Sequence, residues 1–276
     1  MGKKRKRRKQ VRPEGWGVRP QQVEAWLDRA ETQLMNGAYS SVVQTTRLIL
    51  RHVPEGSKPY AEANYLLGAA LGMLEDFEGS REAYSRTLEA DPHNASAWYN
   101  RALSHRFLLR TGEALHDVER AIELEERPRQ REVYGEERAL LRPIVEKQLA
   151  MRGPDCTVDQ LIEDQRAFSR GVQLMAAAAW EEAESVFRRL TASGDVPHQA
   201  WGNLGACLIM QERYDEAEKA LRKALEIHPG YGLARRNLAM LPLLRETGPP
   251  DQMRIDEPWR GRKLRQSVEF FWPEES

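Results

Sequence analysis

Hydrophobic residues recur at helical spacing along most of the chain, and the pattern is clearest between residues 198 and 231. In the first part of this stretch, Trp201, Leu204, Leu208 and Ile209 follow one another at the intervals expected for one helical face. The pattern predicts a helix from about Gln199 to Gln211.

A second helix is predicted from about Tyr214 to Ile227 because small and aliphatic residues share one of its faces. Pro229 ends this helix, since proline cannot continue the backbone hydrogen bonding. Small residues mark the places where the two helices must approach closely. The apolar face consists of Ala217, Ala220, Leu221, Ala224 and Leu225.

This helix–turn–helix resembles a tetratricopeptide repeat, a 34-residue unit with Trp, Leu-Gly, Tyr, Ala and Pro at fixed offsets. Leu208 replaces the tyrosine that the first helix often carries, and Leu221 replaces the aromatic residue of the second helix. The matching residues are Trp201, Leu204, Gly205, Tyr214, Ala217, Ala224 and Pro229.

Four more stretches fit the same frame, and the resemblance covers about four fifths of the chain. It implies an all-α solenoid of about five helix-turn-helix repeats, in which each repeat packs on its neighbours. The last stretch, from Gly232 to about Arg245, reads as a lone closing helix. The four additional repeats are Val23–Gly56, Ala61–Asn94, Ala95–Pro128 and Asp164–Pro197.

One segment breaks the period between the third and fourth repeats. It predicts an extra long helix from roughly Gln130 to Met151, followed by a turn. Thr157 with Gln160 is typical of a capping box, which predicts the start of another long helix. Because one additional helix interrupts the alternation of first and second helices, we expect a discontinuity in the array here.

The chain therefore divides into five predicted regions. A basic tail precedes the repeats, a helical insertion separates repeats one to three from repeats four and five with the closing helix, and an aromatic-containing tail follows. The last region contains Trp259, Phe270, Phe271 and Trp272, and we expect it to dock on the chain itself or on a partner. The boundaries are 1–22, 23–128, 129–163, 164–246 and 247–276.

The formal net charge is zero, yet the first 20 residues hold nine Lys or Arg and only one Glu. Such a run cannot bury an apolar face, so we expect disorder. It can bind a polyanion through counterion release, or it can simply be a solvated tail. The candidate polyanion-binding residues are Lys3, Lys4, Arg5, Lys6, Arg7, Arg8 and Lys9.

Motifs for catalysis, metal binding and nucleotide binding are missing from the sequence. The six histidines form no HExxH motif and no Cys/His ligand spacing, and no Walker A sequence or nucleophile elbow occurs. We therefore expect no enzyme activity, no cofactor and no metal. No apolar run approaches the ~20 residues that span a bilayer. The two cysteines are expected to be reduced thiols in a cytoplasmic protein, or a nuclear one in a eukaryote.

The resemblance implies a concave groove lined by the first helix of each repeat, where an extended peptide or a helix would bind. Asn100, Asn203 and Asn237 share one position in their repeats, and an amide there could bond a ligand backbone. Cations that grip a chaperone's C-terminal carboxylate in some members are absent. The candidate groove residues are Tyr65, Met73, Tyr99, Asn100, Leu103, Arg106, Phe107, Phe168, Val172, Met175, Asn203, Ile209, Met210, Arg236 and Asn237.

The sequence thus predicts a non-catalytic scaffold or adaptor that holds a protein segment in this groove. An alternative is a nucleic-acid- or ribosome-associated protein, in which the basic tail supplies affinity and the repeats recruit partners. A third interpretation, a subunit required by a separate enzyme, is not distinguished from the first by the residues alone.

Overall fold

The structure, a computed structural model, describes residues 15–192 and 198–250. The described residues form twelve α-helices and no strand, which confirms the predicted all-α fold. The helices are α1 (Pro20–Met35), α2 (Tyr39–Leu50), α3 (Lys58–Met73), α4 (Phe77–Ala90), α5 (Ala95–Phe107), α6 (Thr111–Leu124), α7 (Pro128–Arg152), α8 (Val158–Ala176), α9 (Trp180–Ala192), α10 (His198–Met210), α11 (Tyr214–Ile227) and α12 (Gly232–Thr247).

The helices that the periodicity predicted most clearly are confirmed. The predicted pair in the 198–231 stretch corresponds to α10 and α11, and the extra long helix corresponds to α7. At the start of α8, the Thr157 hydroxyl accepts from the Gln160 amide, and the Gln160 side chain accepts from the Thr157 amide. This capping box satisfies two amides that have no partner inside the helix.

A three-residue turn joins the first and second helix of each repeat, and its middle residue has a left-handed backbone. Glycine occupies this position in the first repeat, where Gly37 has φ of 72°. In the other repeats a non-glycine residue adopts the same conformation, which costs roughly 1 kcal/mol at each site. These residues are Glu75, Leu109, Ala178 and Glu212, with φ between 57° and 62°.

The chain forms two compact units. Among the described residues, unit 1 contains 15–107 and 116–137, and unit 2 contains 108–115, 138–192 and 198–250. Helices α6 and α7 contribute residues to both. The basic run Lys3–Lys9 and the aromatic tail 251–276 lie outside the described residues.

Unit 1 is built on close contacts between the two helices of a repeat. A Cβ placed on Gly68 of α3 would lie 3.0 Å from the ring of Tyr84 in α4, so glycine is needed for this approach. Tyr84 is fully buried, and its ring meets that of Tyr65 edge-on at 5.5 Å. The aliphatic core beside it joins α1, α2 and α3 and includes Val23, Val42 and Leu66.

Unit 2 repeats the same contact with apolar partners. A Cβ on Gly171 would lie 2.7 Å from the Phe187 ring, and one on Gly205 would lie 2.7 Å from Leu221. Both partners are fully buried within one core that runs from α8 to α12. At the start of this unit, Thr111 donates to Gln148 at 2.7 Å, which ties α6 to α7.

Candidate functional site

Unit 1 contains an open pocket of about 720 Å³ at the N-terminal ends of α3 and α5. Helix α1, the turn between α4 and α5, and the connection between α6 and α7 complete its wall. The lining mixes a tyrosine and small apolar residues with both charges. It consists of Glu31, Lys58, Ala61, Glu62, Tyr65, Leu66, Ala90, Asp91, His93, Asn94, Ala95, Ser96, Glu125 and Arg127.

Arg127 is held on one side of this pocket by Glu125. The Arg127 Nε donates to Glu125 Oε1 and the terminal nitrogen to Oε2, both at 3.0 Å, and the Arg127 amide also donates to Oε1 at 3.0 Å. Burial alone would raise the pKa of Glu125, but these hydrogen bonds from Arg127 lower it below its usual value. The carboxylate therefore stays ionised and fixes the guanidinium in place.

Asn94 organises the opposite edge, where α5 begins. Its side-chain oxygen accepts from the Ala97 amide at 2.9 Å, as an N-cap residue does. In the same turn, the indole of Trp98 donates to the Pro92 carbonyl at 2.9 Å. The turn that carries Asp91 and His93 is thereby fixed beside the pocket.

Tyr65 was predicted for the groove, and it is the member of that set that lines this pocket. Its hydroxyl accepts from Asn100 Nδ2 at 3.0 Å, and only 7% of the residue is exposed. Burial raises the pKa of Tyr65 well above its usual value, so the hydroxyl stays protonated. The residue supplies part of the apolar wall of the pocket.

Helix α7 covers the groove residues that were predicted on α5. The ring of Tyr134 stacks on Tyr99 with centroids 4.3 Å apart, and Glu137 lies 3.1 Å from the Arg106 guanidinium. Burial raises the pKa of Tyr99. Burial also raises the pKa of Glu137, and the positive charge of Arg106 acts in the opposite direction. These contacts place Tyr99 and Arg106 under α7 rather than at an open surface.

Several other predicted residues form part of the packed interior. The side chains of Leu103, Met175 and Ile209 are at most 1% exposed. The three asparagines at the shared repeat position are also buried: Asn100, Asn203 and Asn237. In α5 this position contacts the preceding repeat, since Asn100 donates to Tyr65.

The remaining predicted residues are accessible at the surface. Met73 is 41% exposed and Arg236 is exposed. In unit 2, Met210 lines a smaller opening of about 470 Å³ together with Trp180 and Gln211. The half-buried members are Phe107, Phe168, Val172 and Met210.

Most of the pocket was not predicted, because the candidate groove residues lie in the middles of the first helices and the pocket lies at their N-terminal ends. A signal was present at the end of the third repeat, where Glu126 stands in place of the usual proline. The closing proline comes two residues later, at Pro128, and begins α7. That displacement places Glu125 and Arg127 in the connection that borders the pocket.

The described residues contain no group of three or more His, Cys, Asp or Glu side chains placed to hold a metal ion. Over the same part of the chain, no helix has both the length and the apolar character needed to cross a bilayer.

Two tetratricopeptide repeat models match the sequence, one over residues 65–130 and the other over residues 198–231. A curated relative, the peroxisomal targeting signal receptor of Yarrowia lipolytica, is 32% identical over 83 residues. The alignment covers 30% of this chain and 14% of that protein, so the chain matches only a small part of its relative.

Solved structures with a similar arrangement include pilF of Pseudomonas aeruginosa, with 16% identity, a TM-score of 0.40, and coverage of 79% of this chain and 97% of that chain. A tetratricopeptide repeat protein of Parabacteroides merdae has 13% identity, a TM-score of 0.39, and coverage of 81% and 86%. The quorum sensor NprR of B. thuringiensis has 13% identity, a TM-score of 0.37, and coverage of 82% and 70%.

Proposed function

We propose that this tetratricopeptide repeat protein is a non-catalytic scaffold or adaptor that binds an extended segment of a partner protein in the pocket of unit 1. Arrays of this repeat type generally serve as interaction scaffolds. The observation that carries the proposal is the open pocket of about 720 Å³ at the ends of α3 and α5.

The size and lining of this pocket support a peptide ligand. Pockets of roughly 300–1,000 Å³ are typical of sites that enclose a ligand with a few directed polar contacts. The half-buried Ala90 and Ala95 offer apolar contacts. Lys58 and Arg127 can donate hydrogen bonds, and Glu62 can accept them. An extended peptide presents backbone donors and acceptors together with side chains, so it can use both kinds of group.

The accessible predicted residues of unit 2 support a second, more apolar contact surface. Phe168 and Val172 are half-buried on α8, and Met210 is half-buried at the end of α10. Methionine adapts its shape to different partners at low cost. This surface would suit an apolar or amphipathic segment of the same partner.

The curated relative gives modest support of the same kind. Its name describes a receptor for a targeting signal, and recognition of a signal by a receptor is an interaction of the proposed type.

A selection experiment with peptides of random sequence tests the proposal. Random dodecapeptides displayed on phage are selected against the full chain, and the affinity of a synthetic copy of a selected peptide is measured by calorimetry. Glu62→Arg reverses one charge in the pocket, at a side chain whose contact with Lys58 at 3.5 Å is a surface pair. We expect at least about a tenfold loss of affinity, or about 1.4 kcal/mol.

The matched control is Glu89→Arg, which makes the same change on an exposed position of α4 outside the pocket lining. It should leave the affinity within about twofold of the parent, since surface charges away from an interface contribute little. Equal loss in both variants would mean a general charge effect, and no loss in Glu62→Arg would place the ligand elsewhere.

Polyanion binding by the basic run Lys3–Lys9 is the second candidate function. The observation that favours it is the density of seven consecutive cations. Binding of a single-stranded RNA oligonucleotide should weaken steeply with salt and disappear when residues 1–12 are deleted. Unchanged RNA binding by the deleted chain would remove this candidate.

A further inference from the structure

The complete repeats of unit 2 share one contact between their two helices. The small residue of the first helix faces a large apolar side chain of the second: Gly171 faces Phe187, and Gly205 faces Leu221. Both large side chains are fully buried. The side of the first helix that bears the glycine is thus covered by the second helix of the same repeat.

Helix α12 stands where the first helix of the next repeat would be, but among the described residues no second helix of that repeat packs on it. Ala239 follows Gly205 by one repeat length of 34 residues, and it is exposed. Within the described residues no helix follows α12. The opposite side of α12 is packed into the core, through Ala234, Asn237, Leu241 and Leu244.

The uncovered side of α12, which we call the α12 outer face, is largely apolar at its centre. It consists of Ala239, Met240, Pro242 and Leu243. Met240 is 37% exposed and Leu243 is 57% exposed. Terminal repeats of a solenoid normally need a polar outer surface, and large exposed apolar side chains there favour a cover.

We propose that the first part of the C-terminal segment of the same chain, residues 251–265, covers the α12 outer face. Its first apolar residues, Met253, Ile255 and Trp259, would contact the face where a second helix packs in a complete repeat. The segment begins immediately after the helix, because α12 ends at Thr247 and Gly248 turns the chain away with φ of +83°.

Chain length permits this return. The twelve Cα-to-Cα steps from Thr247 to Trp259 can span at most about 43 Å when extended. Helix α12 has 16 residues and is therefore about 24 Å long. A short tether gives a high effective concentration, which favours this segment over the same segment of a second copy.

The charges of the segment are mixed, since Arg254 and Arg260 flank two carboxylates that can pair with cations of α12. Arg235 and Arg236 are exposed beside the α12 outer face. In the segment, Asp256 and Glu257 lie between Ile255 and Trp259. When the apolar residues contact the face, these carboxylates can lie near the two guanidinium groups, although exposed pairs of this kind contribute little to affinity.

Photo-crosslinking tests the proposal on the full chain. A photoreactive p-benzoylphenylalanine replaces Leu243, whose side chain is exposed enough to tolerate the change. After irradiation, peptide mass spectrometry should find the main crosslink within residues 251–265 of the same chain. Placing the same amino acid at Leu140, which is 60% exposed on α7, is the control and should give no crosslink to that segment.

Mixing isotopically light and heavy copies distinguishes the occupants. Crosslinks between light and heavy chains would mean a second copy, and a missing crosslink to the segment would mean an open face. Either result overturns the proposal. As a second readout, amides of α12 should exchange with solvent about tenfold faster in a chain that ends at Pro250.

Two side-chain variants locate the contact within the segment. Trp259→Ala should speed exchange in α12 nearly as much as truncation does. Replacing Phe270, Phe271 and Trp272 together by Ala should leave it unchanged, because these residues lie beyond the proposed contact. A reversed pattern would contradict the placement of Trp259.

Discussion

In one repeat of unit 1 the second helix, α4, contacts the first helix, α3, through a hydroxyl group, whereas in both complete repeats of unit 2 the same position is apolar. Ser80 of α4 donates to the Gly68 carbonyl at 2.8 Å and lies 3.0 Å from the Ser104 hydroxyl. The corresponding residues of α9 and α11 are Ala183 and Ala217, both fully buried. The comparison teaches that a buried hydroxyl can take the place of a methyl group at this contact, provided that it finds a hydrogen-bond partner.

Buried carboxylates differ between the units in a similar way. In unit 1, Asp117 accepts two hydrogen bonds from Arg101, at 2.7 and 2.8 Å, and lies near His105 and His116. Burial alone would raise the pKa of Asp117, but the hydrogen bonds and charge of Arg101, with those of the histidines, lower it. Its side chain is 2% exposed, so little water can replace these partners.

The carboxylate of unit 2 is closer to solvent. Glu184 pairs with Arg188 at 2.6 Å and with Arg213 at 2.7 Å, and Gln211 also donates to it at 2.8 Å. Both arginine side chains are more than a third exposed. Water can therefore compensate for a lost contact at Glu184 more readily than at Asp117.

Loss of the apolar contact in unit 2 should have the largest effect. Phe187→Ala removes a fully buried ring that packs on Gly171, and it should lower the free energy of unfolding by about 4 kcal/mol. Urea denaturation followed by circular dichroism measures the change. Met151→Ala, at a 57% exposed position, is the control and should change it by less than about 0.5 kcal/mol. Similar losses in both variants would contradict the packing described.

Removing the charge of Asp117 should cause the next largest loss in the free energy of unfolding. Asp117→Asn leaves the Arg101 guanidinium without its carboxylate and should cost about 3 kcal/mol near pH 7. Glu184→Gln in unit 2 should cost only about 1 kcal/mol, because its arginines stay solvated. Urea unfolding of the two variants gives the comparison, and an equal cost would mean that burial does not separate the two sites.

The Asp117 contribution should depend on pH with a defined sign. Its pKa in the folded chain lies below the unfolded value of about 3.9, so its stabilisation is complete above about pH 5 and is lost as pH falls through the folded pKa. Acidification should therefore reduce the difference in stability between the parent and Asp117→Asn. A difference that grows below about pH 4 would contradict the assigned direction.

Adding one methyl group should separate packed glycines from open ones. Gly205→Ala places a Cβ 2.7 Å from Leu221 and should cost about 2 kcal/mol. Gly135→Ala, in α7, meets nothing within 4 Å and should instead stabilise the chain by about 0.5 kcal/mol. Thermal unfolding of both variants checks the opposite signs, and destabilisation by Gly135→Ala would show a contact that the structure lacks.

The smallest expected effect concerns the hydroxyl that distinguishes the units. Ser80→Ala gives α4 the alanine found in unit 2 and removes the bonds to Gly68 and Ser104. It should cost about 1 kcal/mol, since Ser104 retains its bond to the Asn100 carbonyl at 3.1 Å. An increase in stability would mean that the Ser80 hydroxyl does not stabilise the fold.

Much of the fold could be predicted because helix periodicity is a local property of the sequence. Helices α10 and α11 followed from Trp201, Leu204 and Ala217, and the frame then located the other repeats. The left-handed turn residues were harder to predict, since glycine at position 37 is typical of this conformation but leucine at position 109 is not. Only the surrounding helices force a non-glycine residue to adopt it.

The candidate site could be predicted only in part because exposure depends on neighbouring elements. Helical periodicity alone placed Tyr99 and Arg106 in the predicted groove. In the structure, Tyr134 of α7 stacks on Tyr99, and Glu137 of α7 lies beside Arg106. The pocket itself depends on turns from separate repeats meeting at the ends of α3 and α5. No local pattern encodes such a meeting, and Tyr65 was found because it belongs both to the predicted groove set and to the pocket lining.

The measurement that tests the central claim most directly is amide hydrogen exchange of the full chain with and without a selected peptide. With the peptide bound, exchange should slow at the N-terminal end of α3, in the turn from Asp91 to Ser96, and around Arg127, which together line the pocket. Protection confined to unit 2, or spread evenly along the chain, would contradict binding at this pocket.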